Sequence, residues 1–219
     1  EPPMLPGYFR DVEMPHVQTH SQPLPQPTAV LFGLSGCLVD FGAQSRHQRL
    51  DSAQHGLLTP GAEHALLSLQ RQGIPCAWLD DLSLTHSQSL AGALPDWIGA
   101  TPRSPNAGQW PAPDACWQSL MSLNIDRLDG CVLVSGEPLL LQSALNAGLW
   151  TIGLASCGSL CGLAPAQLQA LSQQERELKR GKATLQLFSL GVHSVIDHLG
   201  ELDTCLSDIG LRRRKGEKP

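Results

Sequence analysis

Residues 28–42 read TAVLFGLSGCLVDFG, and this stretch decides the fold. The apolar run Ala29-Val30-Leu31-Phe32 stands between Pro27 and Gly33. A short apolar run closed by glycine predicts a strand buried on both faces, as in a parallel sheet. Leu34-Ser35-Gly36-Cys37 then turns the chain, and Leu38 to Gly42 runs on as a short apolar flap. In open α/β sheets, ligands bind beyond the carboxyl ends of the strands. Gly33, Leu34 and Ser35 therefore occupy the place where a catalytic or ligand-holding group is expected, and none of them is a strong nucleophile on its own.

Working outward, apolar runs alternate with helical patterns. Pro60-Gly61 opens a helix whose apolar face is Ala62, Ala65, Leu66, Leu67 and Leu69, and Gly73 ends it. Residues 74–79 form the second strand, closed by Asp80-Asp81. A short helix over 84–93 and a third strand over 97–100 follow. Pro111 opens a helix to about Leu123, since proline suits a first helical position. Residues 131–134 are the fourth strand, 138–147 the next helix, and 150–154 the fifth strand. Residues 164–190 are helical with a break near Ser172 or Gly181, 192–196 are the sixth strand, and 198–213 the final helix. Strands alternating with helices at this spacing imply right-handed βαβ units. The expected fold is a three-layer, doubly wound, mostly parallel α/β sheet, with no internal repeat.

Length and composition bound the functional classes. The 219 residues suit one large domain, with 42% hydrophobic and 16% charged residues. A net charge of −5 gives no reason to expect nucleic acid or an anionic membrane as partner. No apolar run approaches a membrane span, and no basic region followed by an apolar core marks a signal peptide. The seven cysteines are scattered and odd in number, which predicts buried, reduced thiols and a cytoplasmic setting. Cys157 and Cys161 are four apart without a second ligand pair, a weak zinc pattern. Residues 1–27 hold seven prolines and read as an extended arm. Arg212-Arg213-Arg214-Lys215 reads as a solvated helix end, with residues 214–219 as a basic tail.

Several stretches then point to a family. FGLSGCLVDFG at 32–42 resembles the first motif of bacterial phosphonoacetaldehyde hydrolases, the phosphonatases of the haloacid dehalogenase superfamily. TPGAEHALLSLQRQGIP at 59–75, WPAPDACWQSL at 110–120 and SALNAGLWTIGLASCGSLCGL at 143–163 resemble later parts of that family, as do GVHSVIDHLGEL at 191–202 and DIGLRRRKGEKP at 208–219. The resemblance implies a Rossmann-like hydrolase core over residues 28–213. The family uses an aspartate nucleophile after the first strand, Mg²⁺ held by carboxylates, and a Schiff-base lysine on a helical cap. Residue by residue, the matching positions depart from that pattern. The nucleophile position is Gly33, and Ser35 stands two residues on. The second motif's hydroxyl position is Asp80, and the third motif's basic position is Trp110. The fourth motif's acid is Gly136, with Glu137 one position beyond, and Leu140 to Ser143 lacks the further carboxylates. Only residues 43–59 stand where the cap would be inserted, they include no lysine, and the first lysine is Lys179. The resemblance thus implies a capless, catalytically degenerate member with no cofactor, the family's Mg²⁺ ligands being absent.

What the remaining residues could do divides into three classes. Asp80, Asp81 and Glu137 could gather as a relocated metal site for residual phosphohydrolase activity; the simpler account makes an aspartate a helix cap and Glu137 a first-turn acid. Leu34, Ser35 and the backbone amides after Gly33 and at Glu137 could hold a small anion. Ser35 with His47, His55 or His86 could be imagined as nucleophile and base, but no third orienting group is evident. Trp110 would close the old pocket with apolar surface, or stack a flat ligand. The leading expectation is a non-catalytic binding protein, engaging a protein partner or a second copy through the proline-rich arm and the 43–58 connector.

Overall fold

The computed structural model describes residues 22–47 and 55–219. Most of the proline-rich arm, 1–21, and part of the connector, 48–54, lie outside the described residues.

Six strands form one sheet: β1 (Ala29–Gly33), β2 (Cys76–Leu79), β3 (Gly99–Ala100), β4 (Cys131–Ser135), β5 (Trp150–Leu154) and β6 (Ser194–Ile196). Their order is β3-β2-β1-β4-β5-β6, and every neighbouring pair is parallel. The chain winds outward from β1 to β2 and β3, then returns to lay β4 on the other side of β1. That reversal makes a crevice at the carboxyl ends of β1 and β4.

All five residues of β1, β4 and β5 are buried, which explains why these strands read as unbroken apolar runs. Alternate residues serve opposite faces. Val30 and Phe32 join one core with α1 (Ala62–Arg71) and α7 (Leu202–Arg214). Ala29 and Leu31 join the other with α3 (Asp114–Ser122), α4 (Pro138–Asn146) and α6 (Gln173–Ser189). The three layers follow from this double burial, and each fully buried Leu or Phe contributes about 1.5–3 kcal/mol. The remaining helices are α2 (Leu84–Leu90) and α5 (Pro165–Ala170). No helix among the described residues is long and apolar enough to cross a membrane.

Several local expectations are corrected. Leu67 is 38% exposed instead of joining the apolar face of α1. The helix expected from Pro111 begins at Asp114, because Pro113 disfavours a helical residue before it and itself becomes the N-cap. The long helical stretch breaks at Leu171-Ser172, and α6 runs through Gly181 unbroken. A capping box sets that break: Ser172 accepts from the Glu175 N–H, and Glu175 accepts from the Ser172 N–H. The basic end is held, not solvated throughout. Arg212 donates to the His193 carbonyl and packs over Trp150, while Arg213 pairs with Asp129 and donates to the Gln26 carbonyl. Helix α7 runs to Arg214, into the expected tail. All seven cysteines are free and buried.

Candidate functional site

The crevice at the carboxyl ends of β1, β2 and β4 gathers most of the residues singled out from the sequence. At the end of β1, Gly33 leaves little room: a Cβ there would sit 2.7 Å from Ser135 Oγ and 3.4 Å from Leu140. Ser135 is fully buried and its Oγ accepts from the Glu137 N–H at 2.9 Å. Beyond β4, Gly136 is tighter still. A Cβ on it would meet Gly158 Cα at 2.4 Å and the Gly36 carbonyl at 2.5 Å. Ser159 donates to the Gly136 carbonyl from both its N–H and its hydroxyl. Three backbone segments, after β1, β4 and β5, therefore touch directly where a side chain at 136 would have to project.

The turn after β1 is built around Asp40, which is 1% exposed and adopts φ of 58°. Its carboxylate accepts from Ser35 Oγ at 2.7 Å, from the Ser45 N–H at 3.1 Å, and from the Ser45 hydroxyl. This buried acceptor fixes the 3₁₀ turn Gln44–Arg46. Ser35 is thereby committed to Asp40 and makes no hydrogen bond to a histidine among the described residues. Asp40 was legible only as an acid on the flap, and its pairing with Ser45 bridges a turn that local pattern does not reveal.

The turn projects Arg46 back over the sheet. Arg46 Nη2 lies 2.8 Å from Asp81 Oδ1, and Nε lies 3.5 Å from Glu137 Oε2. Asp81 follows β2 and Glu137 follows β4, with β1 between them, so the guanidinium spans the carboxyl end of β1. Its carbon also sits 5.9 Å from the centre of the Trp110 ring. The Arg46 side chain is only 16% exposed. Burial disfavours its charge, but the hydrogen bond and attraction of Asp81, with Glu137 and Asp80, outweigh it and raise the pKa above the ordinary value. The role of Arg46 is not legible in the sequence, since its partners lie more than thirty residues away.

Asp80 does not turn into the crevice as a free ligand. Its side chain is 1% exposed and accepts from the Leu82 N–H at 2.9 Å and from the Ser87 hydroxyl. The cap of α2 is Ser83, so Asp80 ties α2 down through Ser87 without being its cap. Arg103 Nη2 donates to Ser87 Oγ at 2.8 Å and lies 3.8 Å from Asp80. Glu137 is the N-cap residue of α4, and its side chain makes no cap hydrogen bond. Trp110 is half-buried. Beside it opens a cleft of about 400 Å³ lined by Asp80, Asp81, Arg103, Gln109, Trp110 and Leu139, among others.

The family's Mg²⁺ does not fit these residues. Gly33 and Gly136 offer no carboxylate, Asp80 is spent on α2, and Asp81 and Glu137 share the Arg46 cation. No group of three or more His, Cys, Asp or Glu among the described residues is placed to hold a metal ion. Asp40, Asp80, Asp81 and Glu137 stand here against Arg46 and Arg103, a net negative set of side chains.

Comparison with known proteins agrees with this geometry at the level of the fold. No family model matches the chain. A phosphonoacetaldehyde hydrolase of Pseudomonas putida is 31% identical over 173 residues, covering 76% of this chain and 62% of that one. One from Klebsiella pneumoniae is 33% identical over 137 residues, covering 62% and 50%. The chain thus spans only about half to three-fifths of the curated relatives it matches. A solved structure 64% identical to the chain superposes with a TM-score of 0.85, covering 88% of this chain and 100% of that one. A phosphonoacetaldehyde hydrolase-like protein from Oleispira antarctica superposes with a TM-score of 0.77 at 21% identity, covering 90% and 97%. By sequence the chain is phosphonatase-like, similar to the phosphonoacetaldehyde hydrolases, and it has the fold of the haloacid dehalogenase-type hydrolases.

Proposed function

We propose that this chain is a capless, non-catalytic phosphonatase-like protein that acts by binding a partner. The observation that carries this reading is the Arg46 guanidinium, held between Asp81 and Glu137 across the carboxyl end of β1. A phosphoryl group attacked by a residue after β1 needs that volume, and needs a carboxylate at the Gly33 position to attack it. Here the volume holds a cation already neutralised by two acids. The relatives are named for hydrolysing phosphonoacetaldehyde. That activity does not carry over, because nucleophile, metal ligands and Schiff-base amine lack candidates together, and members of a catalytic unit do not act independently.

Two other readings have less support. A relocated metal site needs Asp80, Asp81 and Glu137 free, and each is engaged. An anion sensor needs excess positive charge, and the crevice has the opposite. The testing experiment is phosphate release from phosphonoacetaldehyde and from p-nitrophenyl phosphate in Mg²⁺. The reading expects no release above the buffer rate; Mg²⁺-dependent turnover that scales with protein concentration overturns it.

A further inference from the structure

The cleft beside Trp110 lies apart from the old phosphoryl site. Its walls are residues 79–81 at the end of β2, the segment 101–110 after β3, part of α3, and Leu139 of α4. Among the described residues, neither the turn after β1 nor Ser135 and Gly136 lines it. It holds about 400 Å³, within the range of about 300–1,000 Å³ that small-molecule sites occupy.

The wall made by 101–110 is held at both ends. Near its start, the Thr101 and Ser119 hydroxyls share a hydrogen bond of 2.6 Å. Just past its end, the Ala112 carbonyl accepts from Ser143 at 2.5 Å, and the Pro111 carbonyl accepts from Asn146 at 2.8 Å. A wall already fixed spares a ligand the cost of ordering a loop.

Charge and surface say what fits. Three acids, Asp80, Asp81 and Glu137, face two cations, Arg46 and Arg103. Arg103 stands 3.8 Å from Asp80, and its Nη2 donates to the Ser87 hydroxyl. Arg46 serves both Asp81 and Glu137, which leaves one negative charge in excess. Glu137 is 14% exposed and does not line the cleft; Asp81 is 44% exposed and does. The excess is therefore presented at Asp81. Its Oδ1 takes Arg46, and its Oδ2 makes no hydrogen bond among the described residues. Beside this carboxylate the cleft is apolar, with Trp110 half-buried and Leu139 50% exposed. An indole stacks flat rings and attracts cations to its face, as Arg46 over the Trp110 ring already shows. An inorganic cation would leave this surface unused, and a neutral ring would leave the Asp81 charge unused.

We propose that the cleft binds a small organic cation with a flat ring, an arylalkylamine or a heteroaromatic cation, its ring on Trp110 and Leu139 and its charge at Asp81. This site is additional to the partner-binding role and does not depend on it.

Isothermal titration calorimetry on the full chain tests it. The probes are tryptamine (ring and ammonium), indole (ring alone), methylammonium (cation alone) and indole-3-acetate (ring and anion). Tryptamine should bind with a Kd of about 1 mM or below, at least about tenfold tighter than each of the other three. Trp110→Leu and Asp81→Asn should each weaken tryptamine at least about fivefold. Both residues also touch Arg46, so NMR of the unaltered chain separates binding from a structural effect. Tryptamine should shift amide signals at 79–81 and 101–110 and leave those at 24 and 26 unmoved. No heat and no shift up to about 5 mM tryptamine, indole-3-acetate binding as tightly as tryptamine, affinity indifferent to Asp81→Asn, or shifts centred elsewhere overturns the proposal. Phosphate release in Mg²⁺ is read separately and bears on the non-catalytic reading alone.

Discussion

Arg46 Nη2 lies 2.8 Å from Asp81 Oδ1, and the same guanidinium reaches Glu137 at 3.5 Å. One side chain from the loop after β1 thereby joins the loops after β2 and β4. Arg46→Ala removes the cation that bridges two acids, one of them 14% exposed. The pair lies between exposed bridges, which contribute little, and buried ones, whose breaking costs several kcal/mol. The expected loss is about 1–3 kcal/mol in urea melts. Arg46→Lys should recover less than half, because a point charge cannot serve both carboxylates and lie over Trp110.

Asp40 holds that arginine in place through Ser45. Asp40→Asn keeps the shape, and asparagine tolerates the positive φ, so backbone strain does not confuse the result. It replaces one acceptor oxygen by a donor facing the Ser45 hydroxyl and N–H. The expected cost is about 1–3 kcal/mol, with amide exchange at 44–46 faster than in the parent by NMR. Unchanged exchange there would mean that Asp40 does not position Arg46.

The two glycines at the old motif positions should differ under substitution. Gly136→Ala drives a Cβ into the backbone of Gly158 and Gly36, which cannot move aside as a side chain can. A loss above about 3 kcal/mol, or failure to fold, is expected. Gly33→Asp meets the Ser135 hydroxyl instead, so the double change with Ser135→Gly should recover most of its stability loss. Phosphate release should stay absent even then, since no metal ligands accompany the carboxylate.

His193 makes stability depend on pH. Burial and then Arg212 lower its pKa from the ordinary 6.5. Its Nδ1 accepts from the Thr151 N–H at 3.0 Å, a bond only the neutral ring makes. A base with a depressed folded pKa binds fewer protons folded than unfolded. Its stabilisation is therefore complete above about 6.5 and is lost as pH falls through that value toward the folded pKa. Thermal midpoints at pH 5 and pH 7.5 should lie closer together in His193→Gln than in the parent.

The strands β1, β4 and β5 were legible because they are buried on both faces, so β5 appears in the sequence with its true limits. The start of α3 was not, since two prolines two residues apart, Pro111 and Pro113, compete for the role of cap. Helix α6 passes through Gly181 because the glycine stands in open solvent, where its cost is only about 1 kcal/mol. The floor of the site, Gly33, Ser35 and Gly136, was visible as motif positions. Its lid was not. Arg46 lies in a polar connector with no periodicity, and only the tertiary fold brings Asp81 and Glu137 to it.

The proposed non-catalytic role requires that Arg46 and the three touching backbone segments close the phosphoryl and metal site. The most direct measurement is a thermal-shift titration with Mg²⁺ and phosphate, apart and together. A ligand that prefers the folded state must raise the midpoint by mass action. No shift is expected with either at millimolar concentration, and no cooperativity between them. A rise with both that exceeds the sum of the separate rises would contradict it.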